Sequence, residues 1–484
     1  MDTNALHDHL NTAQDQLWAN KINLIHENNH FRHRVSTFHP EKLPCRLVGT
    51  FHHGAFNAGL KMVFTDHHNQ HHHSTSWLVR FPRAGIVSNQ NTDEKVAMEV
   101  SALKLVRERT TIPVPRVWAW GPAASNPLGL GPFIMMEYIE GVGLSDILRD
   151  PGSQDSSRMA GFMLQLFNLN FEHIGSLPSP SVLLRDDARM DFTLPRPLTF
   201  KAHSILQYGG VDTFGDRTKG FTTTTEYFQY VANQDWEQLA HQPNSTCGQY
   251  DAQNKYVAFK VLKTLIPDLV HPMYDHGKFK LICDDLGLAN LIVRGKDDLT
   301  VVGVVDLEWS YIGPAQLFGS APWWLLQDRP VNSAWDCNGE EPPEITARYF
   351  KYLDMFIQIL EEEEAKVPGY GEEELSSLVK WSRTSGAMWL HMLLSSGFND
   401  HRSFPFTMLR KNVGCDKWEK REKGYDNAEE LEAFLLRKVS ELNQYDEDLE
   451  QIEENQALMD SGKMAPEEFV AIARTIIETP GFSY

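Results

Sequence analysis

Between Cys45 and Tyr138 the apolar positions fall in short runs that read as strands: Cys45-Arg-Leu-Val48, Leu60-Lys-Met-Val-Phe64, Ser76-Trp-Leu-Val-Arg-Phe81, Val117-Trp-Ala-Trp120 and Phe133-Ile-Met-Met-Glu-Tyr138. Polar or Gly/Pro stretches separate them, so the pattern predicts a sheet of about five antiparallel strands. One helix interrupts the series, from about Asn91 to Arg109, with Val96, Val100 and Leu103 on its apolar face. Its start, Asn91-Thr-Asp-Glu94, has capping-box spacing, and Ile112-Pro-Val-Pro115 forces extended backbone after it. Glu99 lies three residues after Val96 and four before Leu103, on the face meant for burial; a carboxylate there needs a cation.

The flanking regions read differently. Asn4 to Glu27 predicts an amphipathic helix, loosely periodic in Leu6, Leu10, Leu17, Ile22 and Leu24, that packs on the sheet region. Beyond Leu144 the pattern is mainly helical to about Asp275, with a Thr-rich interruption at Thr222 to Thr225, and helical again from about Pro343. Between these lie two short apolar runs. Ile282-Cys-Asp-Asp-Leu-Gly-Leu-Ala-Asn290 and Val301-Val-Gly-Val-Val-Asp306 set Asp285, Asn290 and Asp306 at strand ends, where a rigid sheet can aim them at one point. Three metal-capable or proton-accepting groups so placed fit phosphoryl transfer. Turn caps at Asp284 and Asp285, an Asx bond at Asn290 and a strand end at Asp306 stay open as the plainer reading.

Composition narrows the class. The 484 residues suffice for two or three domain-sized units, and 42% hydrophobic with 23% charged residues is ordinary for a soluble globular chain. No apolar run is long enough to span a bilayer, so no membrane partner is expected. The polar, acid-bearing N-terminus resembles neither a signal nor a transit peptide, which makes the cytoplasm the expected compartment. Five scattered cysteines without CxxC spacing predict reduced thiols. A net charge of -20 argues against nucleic-acid binding. The acidic runs near Glu361 and from Glu429 to Glu454 read as solvated helix faces. His67-His-Asn-Gln-His-His-His73 sits between the second and third strands and reads as a solvated loop rather than a metal site.

The order of elements and the motifs together resemble the aminoglycoside phosphotransferase family, of protein-kinase-like fold, and especially its fungal branch of uncharacterised small-molecule kinases. The likeness covers roughly Leu43 to Leu326. It implies an α+β, bilobal architecture: a helical extension over residues 1–42, an N-lobe over 43–140 with about five antiparallel strands and one helix, and a mainly helical C-lobe over 141–484. The family's catalytic loop reads His-x-Asp, four residues, then Asn, with a metal-binding Asp on a later strand. Cys283-Asp-Asp285, Asn290 and Asp306 fit that frame, except that Cys283 replaces the His, whose usual task is to hold the loop.

The resemblance implies ATP and Mg2+ as cofactors and a small-molecule hydroxyl as acceptor. Asp285 would orient the acceptor hydroxyl, while Asn290 and Asp306 would bind Mg2+. Arg80 occupies the place of the usual phosphate-holding Lys and is the natural partner of Glu99, although a plain structural ion pair is the alternative. In the turn Gly49 to Gly59, Gly54 and Asn57 would allow close backbone approach and left-handed torsions over the phosphates. Backbone groups of Glu137 and Ile139 would meet the adenine. Glu308 could meet a cationic acceptor or form a buried salt bridge, and the Trp pair in Ala321-Pro-Trp-Trp-Leu-Leu326 would border the substrate cleft. Nothing after Asp306 resembles a regulated activation segment, so peptide substrates are not expected. Cys283 leaves a second reading open, a catalytically weak pseudokinase serving as a binding or scaffold protein.

Overall fold

The computed structural model describes residues 3–27, 30–65, 75–147, 153–178, 195–320, 342, 344–367, 374–395, 401–425 and 428–478. The histidine loop His67–His73, the run Ala321–Leu326 and Cys337 lie outside the described residues.

The molecule combines antiparallel sheets with a large helical portion. Six strands form the first sheet: β1 (Cys45–Leu47), β2 (His52–His53), β3 (Asn57–Phe64), β4 (Ser76–Pro82), β5 (Val117–Gly121) and β6 (Phe133–Glu137). Their order is β1-β3-β4-β6-β5, with β2 pairing β3 inside the Gly-bearing hairpin. Alternation along β4 sorts its side chains. Trp77, Val79 and Phe81 join one apolar cluster, while Leu78 and Arg80 face the other way, toward the helix Thr92–Arg109.

The sequence pattern provided one helix for this sheet, but the structure covers both faces. Trp18 and Ile22 of the helix Ala5–Glu27, with Phe31 and Val35 of the helix His30–Phe38, close the Trp77 face. That is why β3 and β4 are buried almost without alternation. The first helix also has a second task. Its Leu6, Leu10 and Ala13 pack on the C-terminal helices Ala428–Asp460 and Pro466–Glu478, through Tyr445, Ile452 and Phe469. Its loose periodicity reflects two different partners along one helix; Leu24 is exposed.

Two small three-stranded sheets carry the middle of the chain. One has the order β11-β10-β7, from β7 (Val142–Gly143), β10 (Leu291–Gly295) and β11 (Asp298–Val304). The other runs β8-β12-β9, from β8 (Gly175–Ser176), β9 (Lys280–Cys283) and β12 (Ser310–Gly313). Helices surround them, chiefly Ser153–Phe167, Phe200–Gly209, Thr224–His241, Gln249–Leu265 and Glu344–Glu364.

Two local expectations fail for identifiable reasons. Asn91 makes no side-chain cap; Glu94 instead accepts from Arg217 Nη1 at 2.7 Å and from Ser176 Oγ at 2.7 Å. A cation with several donors outcompetes a single backbone amide for the carboxylate. The Thr run is a helix start rather than an interruption: the Thr223 side chain accepts from the Glu226 amide, and Glu226 Oε2 accepts from the Thr222 amide at 3.2 Å.

Candidate active site

Asp285 and Asp306 arrive from different sheets. β9 pairs with β12, Cys283 opposite Ser310, so the chain leaves the ladder just before Asp284 and Asp285. β10 pairs with β11 antiparallel, Leu291 opposite Val304, which puts Asn290 and Asp306 just beyond the same end of that ladder. The Val305 amide donates to Asn290 O at 2.9 Å, and Asn290 Nδ2 donates to Asp285 O at 2.6 Å. The loop from Asp285 to Asn290 is thereby closed on itself and tied to the strand that bears Asp306. Asp306 has a φ of 62°, left-handed for a non-glycine residue. Such a backbone persists only when its surroundings enforce it, and it is common at functional sites.

Arg80 holds the Asp306 side chain. Its Nη1 donates to Asp306 Oδ1 at 2.8 Å, its Nη2 forms an ion pair with Glu99 Oε1, and Glu308 Oε2 lies 4.0 Å from the same Nη2. The structure thus brings Arg80, Glu99 and Asp306 together, the sheet, the helix and the later strand meeting at one guanidinium. Burial would lower the Arg80 pKa, but Asp306, Glu99 and Glu308 together raise it, so the cation is secure. Burial raises Glu99 to about 7 despite Arg80, and likewise raises Asp306.

A second cation was missed by the sequence reading. Lys95, fully buried, forms an ion pair with Glu308 Oε2 and donates to Asn57 Oδ1 at 3.1 Å; Asn57 Nδ2 donates to Glu308 Oε2 at 2.6 Å. Lys95 stands four residues before Glu99, on the same helical face, and that spacing was the available signal. Burial pushes Glu308 up, but Lys95 and Arg80 outweigh it and hold its carboxyl below the usual range. Glu308 is therefore committed to a buried salt bridge and does not face a cationic acceptor.

The hairpin departs from expectation. Neither Gly54 nor Asn57 has a left-handed torsion; among the described residues of that turn Gly49 does, at φ 80°. The Gly54 amide donates to Asn57 O at 2.9 Å and its carbonyl accepts from Arg83 Nη1 at 3.1 Å. Because the Asn57 side chain is drawn into the Lys95–Glu308 pair, the hairpin is fixed by side-chain chemistry rather than by glycine freedom. At the opposite end of the sheet, the Glu137 amide donates to Arg116 O at 2.8 Å. Ile139 then packs on Gly303 of β11, where a Cβ would meet Ile139 Cγ2 at 2.8 Å.

Cys283 cannot stand in for a histidine as a proton carrier. Burial pushes its thiol up to about 11, and the neighbouring Ser310 offsets only part. The loop is held instead by the β9–β12 ladder and by the Leu286 amide donating to Cys283 O at 3.2 Å. Asn290 Oδ1 and the second Asp306 oxygen are the oxygen donors suited to a divalent cation. Among the described residues no group of three or more His, Cys, Asp or Glu could by itself hold a metal. The described cysteines, Cys45, Cys247, Cys283 and Cys415, are free thiols, and no helix among the described residues is long and apolar enough to cross a membrane.

No protein-family profile matches the chain. A segment of it is similar to altered inheritance of mitochondria protein 9, mitochondrial, of Meyerozyma guilliermondii, with 29% identity over 25% of this chain and 22% of that protein. The chain therefore spans about a fifth of that relative's length. Among solved structures it is similar to a Ralstonia eutropha protein provisionally described as an aminoglycoside phosphotransferase, with 12% identity, TM-score 0.39, and coverage of 80% of this chain and 97% of that one. It is also similar to the aminoglycoside phosphotransferase APH(3'')-Id of Streptomyces rimosus, with 13% identity, TM-score 0.33, and coverage of 69% and 88%.

Proposed function

We propose that this chain is an ATP- and Mg2+-dependent phosphotransferase with a protein-kinase-like fold, acting on a hydroxyl of a small molecule. The observation that carries the reading is the Arg80 fork, which joins Glu99 of the helix to Asp306, 226 positions after Arg80 in sequence. The motif resemblance alone supports membership in the fungal branch of the aminoglycoside phosphotransferases.

The donor set fits the metal. Three carboxylates, Glu99, Asp306 and Glu308, face two cations, Arg80 and Lys95, so the junction holds one carboxylate more than it has cations. A divalent cation would overturn that excess and favour bound phosphates. Asn290 and Asp306 would hold Mg2+, two protein oxygens with the remaining positions left to water and phosphate, as this ion prefers. When bound, it supplies charge neutralisation on the phosphates.

The chain's own residues do the positioning. Arg80 presents a pre-formed fork to the nucleotide phosphates, with Glu99 fixing its orientation. Asp285, whose backbone is pinned by Asn290, orients the acceptor hydroxyl. Glu137 and Ile139 present backbone groups to the adenine where the chain leaves the sheet. Asp285 takes the hydroxyl proton, and Cys283, a neutral thiol, takes the place of a histidine whose task is to hold the loop.

A thermal-shift titration with ATP, with and without Mg2+, tests this reading, since a ligand that binds only the folded state raises Tm. The expected result is a Mg2+-dependent rise that Asp306→Ala abolishes. Absence of any rise in the unaltered protein, with Asp306→Ala indistinguishable from it, refutes the proposal. ADP release across a panel of hydroxylated metabolites then identifies the acceptor.

A further inference from the structure

On one side of the catalytic-loop segment lies a pocket of about 160 Å3, walled by Met163 and Leu166 of the helix Ser153–Phe167, Leu281 and Ile282 of β9, and Leu317 and Phe318. Cys283, Asp284 and Leu286 line it, but Asp285 does not. The residues on either side of Asp285 therefore face this pocket. A space of about 150 Å3 with such walls is enough for one six-membered carbon ring.

Its polar groups are few and set in definite states. Gln316 Oε1 accepts from the His271 amide at 2.7 Å, which fixes the amide so that Nε2 donates both to Leu269 O at 2.8 Å and to His391 Nε2 at 2.9 Å. An imidazole that accepts at Nε2 carries its hydrogen on Nδ1, and that hydrogen goes to Ser320 Oγ at 2.7 Å. Burial keeps His391 neutral, its pKa pushed down to about 3. The Ser320 hydroxyl is thus committed as acceptor to His391 and has its own hydrogen to donate at the pocket wall. Ser395 differs, because its hydroxyl already donates to Met392 O at 2.7 Å.

The geometry points to a second small-molecule site in this chain, separate from the nucleotide and acceptor sites, that takes a single-ring alcohol or phenol: ring against the apolar walls, hydroxyl oxygen accepting from Ser320. Occupancy would brace the loop from both sides of Asp285, since Cys283 and Leu286 are part of the wall.

The inference does not depend on the phosphotransferase reading, and its test uses the full chain without nucleotide. Benzyl alcohol is titrated calorimetrically, with toluene as the comparison probe. Saturable one-site binding is expected for benzyl alcohol and weaker binding for toluene. Ser320→Ala should weaken benzyl alcohol about three- to tenfold, the worth of one hydrogen bond, and leave toluene unchanged. Leu166→Phe, which fills the pocket, should abolish binding of both neutral probes. The proposal is overturned if benzyl alcohol does not saturate, if toluene binds as tightly as benzyl alcohol, or if Ser320→Ala and Leu166→Phe both bind as the unaltered protein does. Should Leu166→Phe fail to fold, the Ser320→Ala comparison of benzyl alcohol with toluene decides alone.

Discussion

Two buried ionic groups invite comparison, one at the sheet–helix junction and one among the helices. In the second, Lys201 Nζ donates to Asp235 Oδ2 at 2.7 Å and to Leu394 O at 3.0 Å, so one cation meets one carboxylate and a carbonyl on regular helices. The junction sets Arg80 and Lys95 against Glu99, Asp306 and Glu308, and holds Asp306 in a left-handed backbone. A balanced pair on unstrained backbone is explained by packing alone. Excess charge of one sign beside a strained backbone is not, and it marks a place that gains stability when something of the opposite sign binds.

The sharpest way to break the comparison is to cut each group and read activity per folded molecule. Asp306→Ala should lower nucleotide turnover by at least about 10³-fold, the scale of losing several kcal/mol of charge stabilisation, whereas Lys201→Met should leave turnover per folded protein unchanged. Stability should respond differently. Removing one partner of a buried pair leaves an uncompensated charge, so Lys201→Met should cost about 3–5 kcal/mol in denaturant unfolding. Arg80→Met should cost a similar amount, and adding Glu99→Gln should recover part of it, because the junction then has fewer unpaired carboxylates. A double substitution no better than Arg80→Met alone would show that Glu99 is not held there by charge.

Smaller effects probe the hairpin link and the histidines. Asn57→Ala removes a hydrogen bond to the charged Glu308 and should cost about 1.5–3 kcal/mol; a loss well under that range would mean the hairpin is held by packing instead. His203, beside Trp309 at the junction, and His391 among the helices are both pushed down to about 3, chiefly by burial. Each is depressed below its unfolded value of about 6.5, so the unfolded chain binds protons that the folded one refuses. Stability should therefore be full above pH 6.5 and fall as pH drops toward 5, by on the order of 1–2 kcal/mol per histidine. Replacing either by Gln should remove about half of that slope, whatever it does to the stability at neutral pH; an unchanged slope would place the acid sensitivity elsewhere.

How far the site could be read beforehand depended on whether partners were local. Glu99 was readable as a buried carboxylate because Val96 and Leu103 share its helical face, and Arg80 as a candidate cation because it ends a strand. Lys95 was equally local to Glu99 but passed as one more charged residue, since a lysine on a helix is ordinarily solvated. The capping pattern at Asn91 misled because it ignored Arg217, far along the chain. The Thr run misled in the other direction: Thr223 and Glu226 carry the spacing of a cap, which composition alone disguised.

By itself the sequence determined the antiparallel strands, the helix that follows β4, and the strand-end positions of Asp285, Asn290 and Asp306, because these follow from short-range periodicity and backbone preference. Tertiary structure decided what those periodicities could not contain. It set two helices on the far face of the sheet, gave the first helix two unlike partners, drew Asn57 and Lys95 into the carboxylate cluster, and formed the pocket beside the Asp285 loop. Each is a contact between distant segments, fixed by burial and charge pairing in three dimensions rather than by any spacing along the chain.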